Sequence, residues 1–336
     1  MNILRPTRPF LSLLLALPLS AADAISPTGV PPAPTLEAMR ALGLPETVAP
    51  DSKVTQLANG FAFTEGATCA PNGDVYFVDQ PNDKILRWDV TANSLSTFLN
   101  PSGHSNGQYF DAKGNLIACA DEKNELWSIA PDATHTVLIS PAGYDGKSLD
   151  GPNDVWVRPD GGMYITDPIY GRKWWDPAVK RPSQPVRAVY FFNPGNKALN
   201  RVAEFTMPNG IIGTPDGQTL FVADINARQI WRFAIQPDGS LTGRRLVCNF
   251  GSDGMTLDAK GNLYLSANVG GGRGGPSLPG VTVVNGDSGK LLGFIPTPEQ
   301  PANLCFAGKN HDTLYITART GFYMIPTRVK GANPAK

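Results

Sequence analysis

Six acidic or carboxamide side chains open six copies of one phrase. Oxygen donors in such a set are what a hard divalent cation takes as ligands. The openers are Glu65, Asn106, Asn153, Asn209, Asp253 and Asn303. The phrases run EGATCAPNGDVYFVD, NGQYFDAKGNLIACA, NDVWVRPDGGMYITD, NGIIGTPDGQTLFVAD, DGMTLDAKGNLYLS and NLCFAGKNHDTLYIT. Eight residues after each opener comes a turn position, held by Gly73, Gly114, Gly161, Gly217, Gly261 and finally His311. Asn-Gly and Asp-Gly also serve as turn dipeptides for backbone reasons alone. A turn has no use for Glu at its first position, so Glu65 speaks against that simpler account of the set. Residues at the same place in every repeat are expected to converge on one axis. Buried without partners, such a ring would be costly; a cation and water would satisfy it.

The elements that position these residues follow from the spacing. Successive openers are 41, 47, 56, 44 and 50 residues apart. Intervals of that size, filled with short strands rich in Val, Ile, Leu, Tyr and Phe and punctuated by Gly turns, predict an all-β fold: a six-bladed β-propeller with four-stranded antiparallel blades around a central channel. Aromatic-bearing strands follow each phrase, as in ILRWDV (85–90), ELWSI (125–129), VYFF (189–192) and QIWRFAI (229–235), and are expected to fill the space between blades. The segment from Val54 to Leu57 is expected to close the ring beside the last blade. The propeller then occupies residues 51–330, preceded by a Pro-rich extended segment at 25–50 with a turn or two of helix between Leu36 and Leu44. Residues 1–24 read as an export signal: Arg5 and Arg8, the apolar run Phe10–Leu19, then Ala22-Asp23-Ala24. That run is too short to span a membrane, so the expected location is periplasmic or extracellular, with no membrane attachment after cleavage.

Lys+Arg and Asp+Glu number 29 each, for a net charge of zero, which leaves no basic footprint for nucleic acid. No G-x-S-x-G elbow and no HExxH motif occurs, and His104, His135 and His311 are scattered; hydrolysis, if the chain performs it, is expected to be metal-assisted. Cys69, Cys119, Cys248 and Cys305 lack metal spacing and are expected as buried thiols. Two stretches break the period. Pro168–Pro185 carries Tyr170, Arg172, Trp174 and Trp175, and is the candidate lid or substrate wall. Gly270–Gly280, GGGRGGPSLPG, reads as a flexible loop, since no helix follows to make it a phosphate cradle.

The stretches FTEG, GPNDVWVRPDGGMYITDP, PNGIIGTPDGQTLFVADI and SDGMTLDAKGNLYLS resemble the gluconolactonase, regucalcin (senescence marker protein) and luciferin-regenerating-enzyme family, in order, from about Val54 to Ile325. The resemblance implies a lactone hydrolase with one divalent cation at the channel mouth, Ca²⁺ before Mg²⁺, Mn²⁺ or Zn²⁺. Its ligands would be Glu65, Asn209 and Asp253, with Asn153 touching metal or substrate. Asp253 would double as general base, while Asn106 and Asn153 would orient a small lactone or sugar acid bounded by Tyr170 and Trp174. Animal relatives carry Arg two residues before the third-blade Asn; here that position is Gly151. A non-catalytic propeller locked by calcium and binding a carbohydrate, and a hydrolase of phosphotriesters or aryl esters, are the competing expectations.

Overall fold

The computed structural model describes residues 29–179, 181–270 and 277–332. The export signal expected at 1–24 and the glycine-rich run 271–276 lie outside the described residues. Short strands separated by Gly turns assemble into six sheets of four antiparallel strands each. Blade one spans 64–99, blade two 105–139, blade three 155–205, blade four 208–248 and blade five 255–296. Blade six is made of 301–326 together with the early strand Thr55–Asn59, which pairs with Gly321–Pro326. The ring is thus latched by hydrogen bonds between the two ends of the domain, near the segment predicted to close it.

The first strand of each blade is the inner one. Thr64–Cys69, Ser105–Phe110, Val155–Val157, Pro208–Gly213, Met255–Leu257 and Pro301–Ala307 pack on one another in sequence, and the last returns to the first. The approach is close enough for hydrogen bonds between blades: Gly107 N donates to the Asn153 carbonyl at 2.7 Å, and Gly254 N to the Ala302 carbonyl at 2.7 Å. The glycine after the opener follows from this closeness. A Cβ on Gly66 would lie 2.1 Å from the Asn106 carbonyl oxygen, and one on Gly210 would lie 2.4 Å from that of Asp253. The Asn-Gly and Asp-Gly pairs of the repeat therefore mark contacts between inner strands and are not hairpin turns. Pairing registers slip beside the openers, at Glu65/Thr68, Ser105/Gln108 and Pro208/Ile211. Bulges of this kind turn side chains away from the regular pleat.

Between blades the core is aromatic and aliphatic, with Trp88, Trp127, Tyr190 and Phe191 buried on third strands, as predicted, and Trp156 and Tyr164 buried on the first and second strands of blade three. All four cysteines are free thiols. The N-terminal segment forms the short helix expected between Leu36 and Leu44. Thr35 caps the helix Leu36–Ala41, accepting from Ala38 N at 3.2 Å, and Met39 is fully buried, the helix packing on Asn262–Gly270 and Ser277–Asn285 of blade five. Burial of the apolar side chains of Met39 and Val48 holds the segment on the propeller. Gly270–Gly280 differs from a loop at both its ends, since Asn262–Gly270 and Ser277–Asn285 form one long paired arm. Among the described residues no helix is long and apolar enough to cross a membrane.

Replacing Met39 with Ala is expected to cost about 2–5 kcal/mol, as for other buried Met truncations. Urea unfolding of the two proteins would show it as a lower midpoint with an unchanged slope.

Candidate functional site

Glu65, Asn209 and Asp253 meet at one end of the channel. Asn209 Nδ2 donates to Asp253 Oδ1 at 2.9 Å and to Tyr170 Oη at 2.8 Å. Glu65 accepts from Gly66 N at 3.1 Å. All three are buried. Burial pushes Glu65 well above the usual carboxylate range, and the charge of Asp253 pushes it further. Burial also raises Asp253 to about 6, although the Asn209 hydrogen bond holds it back. Asn106 and Asn153 occupy the same tier and are buried; their side chains make no hydrogen bonds within the described residues.

Blade six does not complete the ring. Thr317 Oγ1 accepts from Asn303 N at 3.0 Å and Asn303 Oδ1 from Leu304 N at 2.7 Å. The same pair of bonds holds Asp154: Thr166 Oγ1 accepts from Asp154 N, and Asp154 Oδ1 accepts from Val155 N. Asn303 therefore matches Asp154, one residue past the opener, and Ala302 takes the ring place, its carbonyl receiving Gly254 N as that of Asn153 receives Gly107 N. Two extra residues in the blade-six turn, where Leu304 pairs with Ile316 while Val155 pairs with Ile165, moved the phrase by one. The ring has five polar members and one alanine.

Sequence reasoning passed over Asp154, although the Asn153-Asp154 pair puts an acid where four other blades have Gly. It is buried, accepts from Ile211 N at 3.2 Å, and burial raises it to about 7. It lines a cavity of about 450 Å³ on the far side of the ring, bounded by Gln108, Tyr109, Asn303 and His311. That cavity is larger than the one of about 410 Å³ bordered by Asp253, Asn226, Arg228 and Gln300. Glu65, Asn209 and Asp253 do not line the larger cavity.

The loop between the second and third strands of blade three leaves from the same end as the openers, because alternate strands of a meander run in opposite directions. It reaches across to blade two. Arg172 Nε donates to Asp121 Oδ2 at 2.8 Å, and Trp175 Nε1 donates to the Asp121 carbonyl at 2.8 Å. Trp174 stacks on His104, with centroids 4.3 Å apart and planes 7° from parallel. The returning chain is held by Asp150, whose carboxylate accepts from Ser183 N at 2.6 Å and Gln184 N at 3.0 Å. Gly151, with φ +121°, leaves room for this docking: a Cβ there would sit 2.8 Å from Trp175 Cζ2. Tyr170 and Trp174 are thereby brought to the mouth, Tyr170 in contact with Asn209.

The donor set suits a hard divalent cation. Two buried carboxylates crowd each other, each with a single hydrogen bond from the described residues, and the amide oxygen of Asn209 adds a neutral donor. Among the described residues no three His, Cys, Asp or Glu side chains cluster for a metal, so any site here needs its carboxamides.

Residues 63–320 match the model of the SMP-30/Gluconolactonase/LRE-like region. A gluconolactonase of Zymomonas mobilis subsp. mobilis is 28% identical over 305 residues, covering 82% of this chain and 81% of that protein. The diisopropyl-fluorophosphatase of Loligo vulgaris is 25% identical over 289 residues, 79% of this chain and 88% of its own. The structure of a gluconolactonase from Xanthomonas campestris superposes with a TM-score of 0.73 at 28% identity, covering 84% of this chain and 91% of that one.

Asp154 and Asp253 hold protons more tightly folded than unfolded, Asp154 at about 7 and Asp253 at about 6 against 3.8. The folded state therefore binds more protons between those values, and stability falls as pH rises from about 4 to about 7. Urea titrations in chelator across that range should show the decline, and Asp154→Asn should flatten it.

Proposed function

The chain belongs to the SMP-30/gluconolactonase/LRE-like family, and from that premise we propose that it opens a sugar lactone by hydrolysis at the lidded mouth of the propeller. The observation that carries this reading is the meeting of Glu65, Asn209 and Asp253 from blades one, four and five, with Tyr170 of the lid on Asn209. The gluconolactonase relatives supply the substrate class.

Glu65, Asn209 and Asp253 would hold a divalent cation, with Asn153 beside them; calcium is the preferred ion for an all-oxygen set in an exported protein, ahead of magnesium, manganese or zinc. Such an ion, when bound, supplies Lewis-acid polarisation of the ester carbonyl. Asp253 serves as proton acceptor for the attacking water. Asn209 fixes its Oδ1, which leaves Oδ2 to the water. Asn106 and Asn153 have side-chain amide hydrogens unused by the described residues, available for ring hydroxyls or for negative charge developing on the carbonyl oxygen. Tyr170 and Trp174 close the wall and limit water. Export through residues 1–24 belongs to the same proposal and rests on the residue pattern alone; N-terminal sequencing of the secreted protein checks it, and an intact Met1 overturns it.

Purified protein should hydrolyse an aldonolactone, lose that activity to chelator and regain it with calcium. Asp253→Asn is expected to reduce kcat by about 100-fold or more, the usual worth of a positioned base. Retained cation with no turnover on any lactone, aryl ester or phosphotriester would instead mark a calcium-locked binding module.

A further inference from the structure

Arg172 lies in the lid with one edge occupied. Its Nε donates to Asp121 Oδ2 at 2.8 Å, whereas its terminal N–H groups make no hydrogen bond to the described residues. The anchor is itself fixed: the Asp121 side chain is 2% exposed, and it takes Trp175 Nε1 on Oδ1 at 3.0 Å and Gln80 Nε2 on Oδ2 at 3.3 Å. The guanidinium carbon lies 5.3 Å from the Tyr170 ring centroid and 5.5 Å from that of Trp174. Trp174 in turn carries a buried indole Nε1 with no partner among the described residues. The charge of Arg172 is felt by both Glu65 and Asp253, although it pairs with neither. If neutralising Asp121 were its whole purpose, the planar fork would gain most by meeting that carboxylate with two parallel bonds. It gives up one bond instead and keeps two donors for something else.

Lactone hydrolysis creates an anion where there was none. Water oxygen bonds to the acyl carbon, the ring C–O bond breaks, the leaving oxygen takes a proton, and the new carboxyl group gives one up to solvent. We propose that Arg172 receives the carboxylate of the ring-opened hydroxy acid and so sets the mouth's preference for aldonate products over neutral polyols. The floor of the site offers acceptors, Glu65 and Asp253, to ligand hydroxyls or a cation. The lid offers the terminal N–H groups of Arg172 as donors. The inference rests on the lactonase reading for its substrate class.

The test compares the full chain with Arg172→Met and Arg172→Lys, using calorimetric titration with D-gluconate and with D-glucitol at one fixed calcium concentration. D-glucitol is a polyol of the same length without the carboxylate. Arg172→Met should weaken gluconate binding by about tenfold or more, leave glucitol binding unchanged, and raise the product inhibition constant more than KM for the lactone. Arg172→Lys, which keeps the charge and loses the fork, should fall between. Equal melting temperatures and circular dichroism establish that the variants are folded. Gluconate binding indifferent to Arg172, absent from the wild type, or lost together with glucitol binding would overturn the assignment. Arg172-dependent gluconate binding without turnover would sink the hydrolase reading and uphold this one; turnover with Arg172-independent binding would do the reverse.

Discussion

The mouth of this propeller depends on how closely six inner strands approach one axis. Gly107 N and Gly254 N reach carbonyls of the next blade at 2.7 Å, and at Gly66 and Gly210 a neighbouring carbonyl stands where a Cβ would be. That proximity removes side chains at one tier and concentrates polar ones at the tier before it. Glu65 and Asp253 are buried together as a result, and both are pushed toward protonation. Burial of two like charges costs folding energy that an apolar pair would not. A bound divalent cation would convert the same arrangement from liability to affinity, because the attraction between ion and carboxylates grows as water is excluded.

The lid is subordinate to that ring and tied to it twice. One tie runs through Asn209 to Tyr170, and the other through Asp121 of blade two to Arg172 and Trp175. Asp121 is buried, and its proton affinity is raised by burial and lowered by Arg172. An anchor of this sort holds the loop in one place, while the terminal guanidinium hydrogens of Arg172 make no hydrogen bond to the described residues. Rigid strands carry the acceptors, and a long loop carries the donors. That division lets the wall of the site vary without disturbing its floor.

The second cavity shows why size alone misleads. Below the ring, Asn303 accepts from its own strand and Asp154 from Val155 N and from Ile211 N of blade four, while Gln108 has no protein partner for either side-chain atom among the described residues. The space there is the hollow that a propeller axis leaves where inner side chains do not meet. It lacks the opposed carboxylates that distinguish the mouth.

Much of the architecture was legible in the chain. A turn glycine eight residues after each of five openers, and strand grammar at propeller spacing, determined the number of blades, the inner position of the first strand and the convergence of Glu65, Asn209 and Asp253. Those features are periodic, and a repeat that cannot bury its own faces leaves few ways to pack. Three matters were decided only by tertiary structure. The blade-six turn is two residues longer, so Asn303 slid down a tier and Ala302 entered the ring; register answers to backbone pairing, not to the letter at a position. The helix around Met39 was readable between Leu36 and Leu44, but its docking on blade five needed a core to receive it. Arg172 was visible only as a cation in a long loop; what aims it is Asp121, 51 residues earlier, and no local pattern connects two such residues. Local spacing records what repeats, whereas the contacts of an insertion depend on which blade it happens to meet.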